Sequence, residues 1–112
     1  MDIKTKYGDI IFPTLLIDYF KTLTNEIYKI LPLWEQKCGT LSIYIETLLI
    51  ELSGANRTIF LKDKIFLQLI SNLEPLMHIQ DHKIYRRQVL KCTNLCKKMI
   101  EKIILEVEIN EL

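Results

Sequence analysis

Cys92 and Cys96 stand four residues apart, and His78 and His82 repeat that spacing slightly earlier in the chain. Thiols or imidazoles one helical turn apart point the same way, which is the start of a metal or redox site. Neither pair completes one. A structural zinc site needs about four ligands, and no pattern of accepted spacing brings Cys38 and a histidine to Cys92 and Cys96. A disulfide within the Cys92–Cys96 pair is disfavoured, because i and i+4 on a regular helix lie too far apart for unstrained geometry. Pro75 and a capping Asp81 put the histidines in a turn, where they lose a common helical face. The expected states are free buried cysteine and surface histidine, with no metal and no cofactor.

Catalytic signatures are equally sparse. Gly8, Gly39 and Gly54 are isolated, so there is no glycine-rich phosphate loop. No GxSxG or HExxH occurs. Glu26, Glu46, Glu51 and Glu74 are scattered singly, without the Glu-x-x-His from which a di-iron bundle is built. Tyr19, Phe20, Tyr28 and Tyr44 are more simply core edges than a cofactor box. The chain is expected not to be an enzyme.

The third candidate chemistry is charge. Residues 82–105 hold seven Lys or Arg against Glu101 alone, although the whole chain is only +1. Advancing about 100° per residue, Tyr85, Val89, Cys92, Cys96, Met99 and Ile103 fall on one narrow seam. Lys83, Arg86, Arg87, Lys91, Lys97, Lys98 and Lys102 take the opposite side, with Asn94 among them. Such a face could neutralise phosphates, and Asn94 with Arg87 could reach base edges. Against that stand the neutral total and the absence of a helix-turn-helix, RRM or zinc-finger pattern. A nucleic-acid-binding regulator is therefore the second choice. Membrane attachment is not expected, because the seam is needed for the core and cannot be buried twice.

The elements that must position these residues are helical. In 112 residues with three Gly and three Pro there are too few turns for an all-β fold, and room for one domain only. An irregular or short-stranded arm (1–12), its apolar residues against the body, should lead into four helices near 13–31, 40–53, 57–74 and 81–105. Pro13 suits a first helical position; Pro32 should stop the first helix. The first helix's stripe is Leu16, Tyr19 or Phe20, Leu23, Ile27, Ile30 and Leu31. Residues 32–39, with the only tryptophan, read as a connector. Thr40 is placed to cap the second helix and Gly54 to end it in a left-handed turn. Asn56 or Asp63 would cap the third, whose core residues Ile59, Phe66, Ile70, Leu73 and Met77 recur at near-heptad spacing. Pro75 should end that helix and Asp81 cap the last.

An all-α bundle of about four helices follows. The second helix is apolar on nearly every side, at Ile43, Tyr44 and Ile50 as well as on its core stripe, so a second subunit is expected over those three residues. No secretory leader or run of about 20 apolar residues is present, which suggests a cytosolic protein. The expected function is a helical protein-interaction module, forming a homo-oligomer, or a hetero-complex that inhibits or assembles a partner such as a toxin, nuclease or defence effector.

Overall fold

A computed structural model describes residues 3–4, 10–11, 13–60 and 63–111, with side-chain surroundings for 14–60 and 63–105. The protein is an all-α bundle. Strands β1 (Ile3–Lys4) and β2 (Ile10–Ile11) pair antiparallel, Ile3 opposite Ile11. Where the arm's apolar side chains lie falls outside the described residues. The helices are α1 (Pro13–Tyr28), α2 (Ile30–Glu35), α3 (Leu41–Ala55), α4 (Lys64–Leu73) and α5 (His82–Glu111).

Pro32 acts differently from expectation. A proline in a continuing helix lacks the N–H for the carbonyl four residues back and crowds it with its ring. For Pro32 that carbonyl is Tyr28's, and α1 ends at Tyr28. The chain then restarts at Ile30, with Pro32 in the first turn of α2, where a missing N–H costs nothing. The result is a kink, not a stop, and the supposed connector is helix through Glu35. Lys37 closes α2 in the left-handed region at φ 54°, with Cys38 N–H donating to Leu33 O and Lys37 N–H to Trp34 O. This is the six-to-one and five-to-two pairing of a Schellman end, with lysine where glycine is usual.

Two expected caps are also corrected. Thr40 precedes α3 but its side chain makes no capping bond; its hydroxyl faces the Cys38 thiol at 3.1 Å instead. Gly54 lies inside α3, and the helix runs on into a wide π turn at Asn56–Phe60. That turn brings Phe60 edge-on to Phe66 (centroids 4.2 Å apart) and within 5.3 Å of Phe20. The buried stripe keeps Phe66 and Leu73 of the expected set. The buried residues that follow are Phe66, Leu69, Leu73 and Leu76, whereas Ile59, Ile70 and Met77 are only half-buried.

Helix α5 is the spine. All six seam residues, Tyr85 to Ile103, are buried, joined by Leu95 and Thr93. They meet Leu16, Phe20, Leu23 and Ile27 of α1 on one side and the α4 stripe on the other. Thr93 is satisfied by donating to Leu90 O at 2.9 Å. Asp81 caps α5 through Ile84 N–H (3.0 Å), as expected.

Asp63 joins the spine to α4. Its Oδ1 accepts from Ile65 N–H (2.9 Å) and Phe66 N–H (3.2 Å), capping α4, while Oδ2 pairs with Lys102. Burial alone would raise this carboxyl's pKa; Lys102 and the two amides outweigh it and hold the pKa below the ordinary value. Its stabilising contribution is therefore complete above the unfolded pKa of about 4 and is lost as pH falls through the lower folded value. Asp63→Ala should cost about 0.5–2 kcal/mol at pH 7 from the cap alone. In urea melts the gap between wild type and variant should shrink as pH falls below about 4 through the lowered folded pKa, because the carboxylate is then progressively protonated in the folded state as well. An unchanged gap would show that the carboxylate's charge is not its source.

Candidate interaction surfaces

The basic face of α5 divides in two. Lys83, Arg86, Arg87, Lys91, Asn94 and Lys98 are exposed, as expected. Lys102 is not a free member: it is half-buried and held by Asp63. Sequence periodicity places it on the wet arc, but it lies beside Ile103 and Met99 at the edge of the seam, within reach of the α4 cap. Among the described residues no carboxylate lies within 4.0 Å of the other α5 lysines and arginines.

Arg87, Lys91, Asn94 and Lys98 follow one another at i, i+4, i+7 and i+11 and line a groove between α5 and α4. Leu90 and Leu95 supply its apolar surface. The α4 wall is Gln68 and Asn72, and hydrogen bonds from side-chain amides fix Asn72. Gln88 Nε2 donates to Asn72 O (2.7 Å) and Oδ1 (3.1 Å), and Asn72 Nδ2 donates to Gln68 O (2.7 Å). Lys83 and Arg86 lie outside the groove lining. Sequence analysis missed this wall, because two amides on a neighbouring helix carry no motif.

The second surface is the outer side of α3. Ile43 is 64% exposed and Ile50 75%. Tyr44 does not share that freedom. It is half-buried, with its hydroxyl donating to Glu26 O at 2.8 Å, so it ties α3 to α1 and leaves the expected self-association face. Thr47 sits between the isoleucines, its hydroxyl returned to Ile43 O (2.7 Å).

The thiols and imidazoles do not assemble. Cys92 and Cys96 are buried in the core, and no group of three His, Cys, Asp or Glu side chains gathers into a metal site among the described residues. Burial pushes the Cys92 thiol up to about 12, with neighbouring Cys96 adding to it, and pushes Cys96 up to about 11 against a hydrogen bond with Thr24. Cys38 is the reverse case: hydrogen bonds from the Thr40 hydroxyl and backbone lower its pKa. His82 stacks on Trp34 (5.7 Å) with Nε2 3.5 Å from Glu35 Oε2, and Trp34 stacks in turn on Tyr85 at 4.4 Å. These contacts clamp α2 to the start of α5. His78 is exposed.

No protein-family model, curated protein or solved structure matches the chain.

The thiol environments predict graded reactivity, since the thiolate is the reacting form. A thiol reagent at pH 7.5 should modify Cys38 rapidly in the native protein and Cys92 and Cys96 only on unfolding, read by mass spectrometry with peptide mapping. Equal labelling of all three in the native state would contradict the packing of the seam.

Proposed function

We propose that the protein is a non-enzymatic helical interaction module that pairs with another protein chain through the outer stripe of α3, acting in the cytosol. One observation carries this. Two large aliphatic side chains seven residues apart, Ile43 and Ile50, face water on a helix whose other side buries Ile45, Leu48 and Leu52. Fully covering such a side chain is worth about 1.5–3 kcal/mol, and a partner would supply cover that no described residue provides.

A second copy is the concrete form of that partner. Two α3 helices packed antiparallel about a two-fold axis near Thr47 would set Ile43 of each against Ile50 of the other, the reciprocal contact of an isologous dimer. Nothing in this arrangement requires Tyr44, which remains with Glu26. Among the described residues no helix is long and apolar enough to cross a membrane, in keeping with this reading.

Light scattering at about 100 μM, a concentration that populates even a weak dimer, should give a dimer mass for wild type. The Ile43→Glu/Ile50→Glu variant should give a monomer mass and should melt as wild type does at high dilution, where wild type is also monomeric, because both side chains lie outside the core. A wild-type monomer at that concentration, or a dimer that survives the double substitution, contradicts the proposal.

A further inference from the structure

The groove between α4 and α5 is a separate surface from the α3 stripe, and its chemistry is different. Arg87, Lys91 and Lys98 present positive charge along it with no carboxylate within 4.0 Å among the described residues, and Glu101 is the one acid of the lining. Uncompensated cations in one row produce a local field that a neutral molecule does not otherwise show. The groove is also partly apolar: Leu90 is 42% exposed and Leu95 lies beneath it.

We infer that this groove binds an acidic amphipathic helix of a partner protein. Three features select that occupant. First, Arg87, Lys91, Asn94 and Lys98 lie at i, i+4, i+7 and i+11, the repeat at which a facing helix presents one edge. From Arg87 to Lys98 the stripe covers about 16.5 Å of axis at 1.5 Å per residue, some three turns. Second, leucines beside the cations fit a ligand with an apolar stripe next to its carboxylates, the form of helix-in-groove recognition. Third, the lining contains no aromatic ring, which a single-stranded nucleic acid would use for base stacking. Glu101 at the C-terminal end of the lining repels carboxylates there, so the partner's charge must be concentrated between Arg87 and Lys98.

The test uses fluorescence anisotropy with a labelled helical peptide of about 16 residues. The peptide carries Glu at i, i+4, i+7 and i+11 and Leu on the adjoining stripe. Probes for comparison are the same peptide with Lys for Glu and a labelled duplex DNA of about 20 base pairs. The acidic peptide should bind saturably and the lysine version should not. Lys91→Glu/Lys98→Glu should weaken binding by about tenfold or more, and Leu90→Asp should also weaken it. Lys83→Glu/Arg86→Glu makes the same change in net charge outside the groove and should have little effect. Folding of each variant is checked by its melt, and the charge reversals fall at exposed positions. The Ile43→Glu/Ile50→Glu variant should bind the peptide as wild type does, which keeps this inference distinct from the pairing proposed for α3. Absence of saturable binding overturns the inference. So does equal loss from the two charge-reversed variants, indifference to Leu90→Asp, or duplex DNA bound more tightly than the peptide.

Discussion

A single dry stripe on α5 must face α1 and α4 at once, and most of the molecule follows from that demand. Tyr85, Val89, Cys92, Cys96, Met99 and Ile103 are buried along about five turns of helix. Charges cannot enter such a stripe without a large desolvation cost. Every lysine and arginine of the segment is therefore displaced onto the remaining arc, and this brings Arg87, Lys91 and Lys98 beside α4. The basic groove is thus partly a by-product of the core. The cysteines suit the stripe because a free thiol packs as a small hydrophobe.

The shorter helices are fastened to this spine by contacts of different kinds. Asp63 caps α4 and holds Lys102, so one carboxylate fixes both the start of α4 and its position along α5. Gln88 and Asn72 repeat the fastening further along. At the other end, the Trp34–Tyr85 stack clamps α2, whose direction is set by the kink that Pro32 imposes at Tyr28. Helix α3 is tied to α1 by Tyr44 and reaches the core through Ile45, Leu48 and Leu52. Among the described residues nothing covers its opposite side, which leaves Ile43 and Ile50 exposed.

Where periodicity ran unbroken, the sequence was a sufficient guide. The six α5 seam positions follow from a 3.6-residue repeat that no Gly or Pro interrupts, and the Asp81 cap follows from its place ahead of that repeat. Local signals misled where a turn had more than one solution. Pro32 disturbs the carbonyl four residues upstream, so its effect appears at Tyr28. Gly54 can be left-handed but need not be, and here α3 continues through it into a π turn. In α4 the stripe keeps Phe66 and Leu73 but takes Leu69 rather than Ile70, and the tighter 3-10 turn at Glu74–Met77 brings Leu76, three residues after Leu73, inward in place of Met77. Tyr44 and Lys102 looked like surface residues because their partners, Glu26 O and Asp63, are 18 and 39 residues away. Both surfaces were legible as residue types. The division of the basic face into a groove and an outer part required the position of α4.

The central claim, that α5 is the spine, is tested most directly by native-state hydrogen exchange resolved to single amides. Amides between Val89 and Met99 should exchange only through global unfolding and be the slowest in the protein, with those of α3 opening at lower free energy. If α3 amides are instead the slowest, and Val89–Met99 exchange by local opening, the core is organised around a different helix and the account is wrong.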